Sequence, residues 1–436
     1  MEHVAQKPHR AGRKRGKCKI ALSSNGSVMK FYVESYGCTM NQGETEMIAE
    51  SLEEKGHGRV GSPEDADTAL IGTCVVIGKT EERMKRRIKE LQDEVSKVIV
   101  SGCLPSIESF EQVKKNFSSS RCELDFFTPR DVKMSSPLKQ DEDVPTIGTI
   151  PIASGCFGDC TYCITKFARG GLKSRPPERI KQRFEELISL STKEIRLTCQ
   201  DAALYGRDLS TDMNELLEEL LEVEGNYRIR VGMMNVDTLK EIKDEFMELM
   251  KDERIYSFLH LPLQSGSDAV LERMNRKYTA EGWMDMIKEF RDTFPDLTLS
   301  TDIIIGFPGE SKKDFEKSKE LVKRARPDIV NVTRFSPRRG TKAAAMGKKV
   351  HSREKKIRSK EMSELRFEIS RNLNEGYVGR RTNALVLEEG KGDSLKARMD
   401  NYKVVVLKNE DKELIGEHVE VEVKRAEDIY LVGERI

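Results

Sequence analysis

Apolar residues fall along this chain in three different rhythms. In the first, the strand-like runs "FYVESY" (31–36), "TALIGT" (68–73) and "KVIVSG" (97–102) alternate with helical patterns at 44–56 and 80–95. The helical stripes are Met47, Ile48 and Leu52, then Met84, Ile88 and Leu91. Strands alternating with helices predict βαβ units and a parallel sheet. A polar stretch, "SSPLKQDEDVP" (135–145), reads as a linker. Beyond it the same rhythm resumes with six apolar runs: "TIGTIPIA" (146–153), "EIRLTC" (194–199), "RIRVGMM" (228–234), "YSFLHLPL" (256–263), "LSTDIIIG" (299–306) and "IVNVTRF" (329–335). Helices are predicted between them at 178–192, 212–223, 240–251, 269–274, 281–292 and 312–325. Six such units predict an open, partial (β/α)6 barrel with its site at the C-terminal face of the strands. From about Glu375 the pattern becomes short alternating strands, such as "TNALVLEE", "KVVVL", "HVEVEVKRA" and "DIYLV", in the style of a small all-β, oligonucleotide-binding barrel. The expectation is an α/β protein: a disordered basic tail at 1–28, an N-terminal parallel α/β domain at 29–134, a partial barrel at 145–372 and a β-barrel at 375–436.

Charge changes this picture only locally. Lys and Arg number 75 against 74 Asp and Glu, so no global field selects a partner. Basic residues cluster between Lys7 and Lys19, with no acid, and again between Arg334 and Arg371, where Glu354, Glu361, Glu364 and Glu368 are the acids. Such clusters suit a polyanion such as RNA, and equally a solubilising tail and a solvated helix face. No apolar run approaches the roughly 18 residues of a membrane span. The N-terminus has no hydrophobic signal core, and Met29 offers a second possible start. Nine cysteines without export point to reduced thiols or metal ligands in a cytoplasmic protein.

The cysteines carry the candidate chemistry. Each strand-like run of the first segment stops at one: Cys38, Cys74 and Cys103. Ligands of open α/β sheets sit beyond the carboxyl ends of the strands, so three cysteines distant in sequence are predicted to share one edge. After the first barrel run, "GCFGDCTYC" places Cys156, Cys160 and Cys163 in a C-x3-C-x2-C spacing on the predicted active face. Three soft thiolates suit a 4Fe–4S cube with one open iron. Zinc with a fourth ligand from elsewhere is the alternative.

That spacing resembles the radical S-adenosylmethionine superfamily. The stretches "CITKFARGGLKSR", "LTCQDAALYGRD", "HLPLQSGSD", "RKYT", "STDIIIGFPGE" and "RFSPRRGTKAA" resemble methylthiotransferases within it. "SYGCTMNQGETE" with Cys74 and Cys103 resembles their amino-terminal domain, and the last segment resembles the RNA-binding TRAM domain. The resemblance covers 29–436, and "QDAALYGRD" is most similar to the archaeal and eukaryotic branch. It implies two 4Fe–4S clusters, on Cys38, Cys74 and Cys103 and on Cys156, Cys160 and Cys163. It also implies S-adenosylmethionine chelated by the second cluster and cleaved there to a 5′-deoxyadenosyl radical. The implied reaction converts N6-threonylcarbamoyladenosine beside the tRNA anticodon to its 2-methylthio derivative. Alternatives are methylthiolation of isopentenyladenosine or of a ribosomal protein side chain, and a non-enzymatic iron–sulfur RNA-binding protein. The chain departs from the family's usual residues at Gly72, Lys166, Cys199 and Arg339. The implied partner is tRNA; no electron donor, sulfur source or membrane is identified.

Other candidates follow from position. Tyr162 packs against the adenine of S-adenosylmethionine or into the core. Gln200, Asp201, Gln264, Ser265 and Asp302 lie at predicted strand ends, where polar groups reach a methionine or ribose, or cap turns. Arg169, Arg175, Arg334 and Arg338 suit a methionyl carboxylate, a threonyl carboxylate or a phosphate. The barrel after 375 carries a slight surplus of acid, so RNA contacts are expected from local basic groups: Arg338, Arg339, Lys348, Lys349, Arg380, Arg381 and Arg398, with Lys396 and Tyr402 beside them.

Overall fold

The computed structural model describes residues 28–107, 117, 122–127 and 145–436. The basic tail and nearly all of the 135–145 linker lie outside the described residues, as does Cys18. The first domain is a parallel sheet in the order β2-β1-β3-β4-β5. Its strands are β1 (Lys30–Ser35), β2 (Gly58–Arg59), β3 (Thr68–Thr73), β4 (Lys97–Gly102) and β5 (Glu123–Phe126). Helices α1 (Thr39–Glu53), α2 (Gly78–Glu94) and the short α3 (Leu104–Ile107) connect them. The stripe Met84, Ile88 and Leu91 is buried as its helical spacing requires. Strands β2 and β5 are additions to the sequence expectation, too short to show a period.

Six parallel strands then form the open barrel: β6 (Ile147–Pro151), β9 (Glu194–Thr198), β10 (Arg228–Val231), β11 (Phe258–His260), β12 (Thr298–Ile305) and β13 (Ile329–Arg334). They pair as β10-β9-β6 and β11-β12-β13, joined by a parallel bridge between Ile229 and Ile255. A small antiparallel pair, β7 (Ala153–Ser154) and β8 (Lys173–Ser174), brackets the cysteine loop. Around the strands stand α4 (Thr165–Arg169), α5 (Pro177–Ser189), α6 (Met213–Leu221), α7 (Val236–Leu249), α8 (Asp268–Met274), α9 (Ala280–Thr293) and α10 (Lys312–Ala325). Alternation decides which side chains fill the lumen. Ile195, Leu197, Ile229 and Val231 pack outward into the helix-facing core, which leaves Glu194, Arg196 and Arg230 inside.

Two features close the barrel's exposed surfaces. Helix α1 packs over β6 so tightly that a Cβ on Gly43 would lie 2.7 Å from the Thr149 methyl. After α11 (Lys342–Ala345), the 24-residue α12 (Ser352–Glu375) runs along β13, where Arg366 donates to the Val330 carbonyl at 2.7 Å. It delivers the chain to a closed barrel of β14 (Arg381–Glu389), β15 (Ser394–Met399), β16 (Val404–Lys408), β17 (His418–Ala426) and β18 (Leu431–Arg435). This small barrel sits beneath the larger one. Arg228 reaches Asp400 at 3.1 Å, Lys403 reaches Asp328 at 2.6 Å, and Asn401 donates to the Asp296 carbonyl at 3.0 Å.

Candidate active site

The first thiol group is assembled at the carboxyl edge of the N-terminal sheet. Cys38 follows β1 and caps α1, Cys74 follows β3, and Cys103 follows β4. Because β1, β3 and β4 are adjacent and parallel, their ends bring the three residues together. Two glycines allow the approach. Gly37 has φ +117°, and a Cβ there would lie 2.8 Å from that of Cys74. Gly102 has φ +82°, and a Cβ would meet the Thr73 carbonyl oxygen at 2.3 Å. Asn41 ties the loops, donating to the carbonyls of Tyr36 at 2.7 Å and Thr73 at 2.9 Å.

A cation from the other domain completes this edge. Arg169, at the end of α4, is 1% exposed and donates to both carboxylate oxygens of Glu44, at 2.6 and 2.8 Å. Its charge acts on Cys74 and Cys103. Burial pushes the Cys103 thiol up to about 12, while Arg169 pulls in the opposite direction. Arg169 is therefore committed to Glu44 rather than to a carboxylate ligand.

The second thiol group lies in one loop of the barrel. The loop is pinned to α8, where Thr161 donates from its backbone to the Met274 carbonyl at 3.0 Å and from its hydroxyl to the Arg273 carbonyl at 2.9 Å. Two donors face the sulfurs: the Gly158 N–H lies 3.1 Å from Cys156 Sγ, and Arg276 Nη1 lies 3.3 Å from Cys160 Sγ. Burial pushes Cys156 up to about 11, and the neighbouring Cys160 and Cys163 add to the shift. Donors aimed at sulfur favour thiolates, the form a cluster needs. Among the described residues, no three His, Cys, Asp or Glu side chains converge to hold a single metal ion. Soft thiolates carrying such donors are the ligands that a 4Fe–4S cube would take.

The remaining candidates divide by what they already touch. Gln200 accepts from the Gly155 N–H at 2.6 Å and lies 2.7 Å from Met40 Sδ, so it links the cysteine loop to α1. Asp201 is 1% exposed and accepts from Asn235 Nδ2 at 2.5 Å and from Thr238 at 3.0 Å, holding the start of α7. Ser265 faces Ser318 at 3.4 Å and accepts from the Ser267 N–H. Gln264 adopts φ +69°, and its backbone bridges to β12. Asp302 is held by Asn331 at 2.8 Å and His260 at 3.3 Å; burial opposes its ionisation, but these partners outweigh it and lower its pKa. Tyr162 packs edge-on against Phe307 with centroids 6.4 Å apart.

The expected basic residues do not form one face. Arg338 is directed into the domain junction, paired with Glu81 of α2. Arg398 stacks on Tyr402 at 4.0 Å and approaches Glu194 at the base of the large barrel. Arg380 pairs with Asp296 at 3.2 Å, and Arg381 lies 3.7 Å from Glu422. Arg339, Lys348 and Lys349 are exposed. Sequence reasoning missed Glu44, Arg230 and the placement of Arg276 over Cys160, since nothing in their local pattern announces a buried charge.

Comparisons with known proteins identify the domains and the family. The chain matches the family models described as Radical SAM superfamily over 150–322, Uncharacterized protein family UPF0004 over 30–122, and TRAM domain over 375–436. It is 40% identical to the probable threonylcarbamoyladenosine tRNA methylthiotransferase of Pyrococcus horikoshii, over 94% of this chain and 100% of that protein. It is 31% identical to the threonylcarbamoyladenosine tRNA methylthiotransferase of Xenopus laevis, over 97% of this chain and 81% of that one. In fold it is similar to the radical S-adenosylmethionine methyltransferase TsrM from Kitasatospora setae, with a TM-score of 0.54, 12% identity, and coverage of 73% of this chain and 77% of that chain. Identity to these relatives over nearly the whole chain, with all three domains matched, places the chain in the radical S-adenosylmethionine methylthiotransferase family.

Proposed function

We propose that this protein is a tRNA methylthiotransferase, converting N6-threonylcarbamoyladenosine at position 37 to its 2-methylthio derivative in the cytoplasm. The observation that supports the reading is that α4, following the barrel triplet, sends Arg169 across the domain junction to Glu44, where its charge acts on the sheet-edge cysteines. The names and the extent of the archaeal and vertebrate relatives support the substrate.

Cys38, Cys74 and Cys103 would hold one 4Fe–4S cluster, and Cys156, Cys160 and Cys163 the other. When bound, the clusters and S-adenosylmethionine supply sulfur, a methyl group and radical abstraction of hydrogen from adenine C2, a carbon with no acidic proton. The protein's own groups supply placement and enclosure. Arg276 fixes Cys160 while also donating to Asn235 at 2.5 Å, which connects the cysteine loop to α7. Gln200 holds the loop's first residues against the other domain. Asp302, ionised at neutral pH, anchors His260 and Asn331 across three neighbouring strands.

Nucleoside mass spectrometry of tRNA from cells with and without this protein tests the reading. Loss of the methylthio group from threonylcarbamoyladenosine is expected. Loss from isopentenyladenosine alone, or an unchanged nucleoside profile, would overturn it.

A further inference from the structure

The lumen of the large barrel holds an arginine with no ion-pair partner among the described residues. Arg230 points inward from β10 between the outward-packed Ile229 and Val231. Its guanidinium carbon lies 4.9 Å from the Phe258 ring centroid and 6.0 Å from that of Tyr402. Its Nε is buried without a hydrogen-bond partner, and among the described residues the side chain makes no ion pair. The residue as a whole is half-buried rather than fully enclosed.

The nearby acidic group is already engaged. Glu194 is the carboxylate whose charge acts on Arg230, and both of its oxygens are already engaged. Oε1 accepts from Arg196 at 2.6 Å; Oε2 accepts from Tyr256 at 2.9 Å and lies 3.7 Å from Arg398. Among the described residues, Arg196, Arg230 and Arg398 therefore share the Glu194 carboxylate. An enclosed surplus of positive charge is costly unless an anion offsets it. Burial, with the charges of Arg196 and Arg398, lowers the Arg230 pKa against the opposing pull of Tyr402 and Glu194.

The position connects this group to the reaction site. Arg230 stands opposite Arg196 in the β9–β10 register, below Cys199, which follows β9 at the carboxyl face. Arg230 thus stands below the cysteine loop, while Tyr402 packs beneath it from the small barrel. A planar guanidinium between aromatic walls suits a planar carboxylate, bound by two parallel hydrogen bonds. On the proposed function, two partners bring one: the methionyl group of S-adenosylmethionine and the threonyl group of the modified adenosine.

We propose that Arg230 anchors a carboxylate-binding site in the barrel lumen. This rests on the proposed function for the identity of the ligand, not for the existence of the site. The test uses the cluster-loaded full-length protein and its Arg230→Met and Arg230→Lys variants, with iron content and thermal melting confirming the fold. Equilibrium binding is measured for S-adenosylmethionine, for an anticodon stem-loop RNA carrying threonylcarbamoyladenosine, and for the same RNA with its threonyl carboxylate as the methyl ester. Arg230→Met should weaken one carboxylate ligand about 10- to 100-fold, with partial recovery in Arg230→Lys. Weakened S-adenosylmethionine binding with the acid-over-ester preference intact assigns the methionyl carboxylate. Loss of that preference with S-adenosylmethionine binding intact assigns the threonyl carboxylate. Unchanged values for both ligands overturn the proposal. If Arg230→Met does not fold, Arg230→Gln is judged by the same outcomes. Failure of the wild-type protein to methylthiolate threonylcarbamoyladenosine would refute the function separately, and the S-adenosylmethionine measurement would then decide alone whether Arg230 binds a carboxylate.

Discussion

The two thiol groups hold equal numbers of cysteines by opposite means. Cys156, Cys160 and Cys163 belong to one loop, whose nearby donors are its own Gly158 N–H and Arg276. Cys38, Cys74 and Cys103 come from three strand ends and depend on sheet register, on Asn41 between two loops, and on an arginine lent by the barrel. A local loop keeps its geometry as long as its anchors hold. A site gathered from a sheet edge fails if any contributing element shifts. The sheet-edge site should therefore be the more fragile of the two, and the barrel loop the more autonomous.

The largest expected effect comes from removing the autonomous loop. A Cys156→Ala, Cys160→Ala, Cys163→Ala variant should lose about four of about eight irons and all release of 5′-deoxyadenosine. Zinc in place of iron, or iron content equal to wild type, would reject the assignment. The matching triple variant at Cys38, Cys74 and Cys103 should also lose about four irons and form no methylthio product, yet still release 5′-deoxyadenosine. Loss of both activities in a folded variant that keeps the barrel cluster would end the claim of autonomy.

Smaller effects sharpen the contrast. Glu44→Ala removes the bidentate carboxylate partner of the buried Arg169 and should cost about 3–5 kcal/mol in the N-terminal domain. Iron should be lost from the sheet-edge site before the barrel site during chelator challenge; the reverse order would contradict the comparison. Asn41→Ala removes two donations to loop carbonyls and should cost about 1–3 kcal/mol by denaturant melting, with the same order of iron loss.

Legibility followed the same division. The C-x3-C-x2-C loop is complete within nine residues, and the six barrel runs supplied the six strands in order. The sheet-edge site was inferable because a parallel sheet aligns its strand ends. Helix α1, however, starts at Thr39 rather than 44, because its first turns bury Asn41, Glu44 and Thr45 instead of an apolar stripe. Hydrophobic periodicity cannot reveal a helix face that is polar and buried. Arg169 and Arg230 were equally opaque: their meaning depends on whether a distant carboxylate reaches them, and one has Glu44 while the other has none of its own among the described residues. The basic segment after Arg334 hid a similar distinction, since adjacent arginines 338 and 339 point to different surroundings, one into a junction and one to solvent.

The smallest predicted effect tests that junction. Arg338 follows β13 of the barrel, and its partner Glu81 lies in the first turns of α2, soon after Cys74. Both side chains are largely covered, and Lys85 supports Glu81 from the next turn at 2.7 Å. Burial alone would raise the Glu81 pKa, but hydrogen bonds from Lys85 and Arg338 outweigh it, and the net shift is downward. A carboxylate with a depressed folded-state pKa adds stability above its unfolded value, near 4.5, and loses it as pH falls through the folded value. Glu81→Gln should therefore destabilise the protein by about 1–2 kcal/mol at neutral pH, with the gap to wild type narrowing as pH falls below that range. The iron of the sheet-edge site should become easier to remove, while the barrel site remains unchanged. Arg339→Gln should leave the melt unaltered and reduce the salt slope of tRNA binding by about one unit. A gap in the Glu81→Gln melts that stays constant with pH would detach the pair from the junction's stability. Equal labilisation of both iron sites would mean that the barrel loop depends on the interface as much as the sheet edge does.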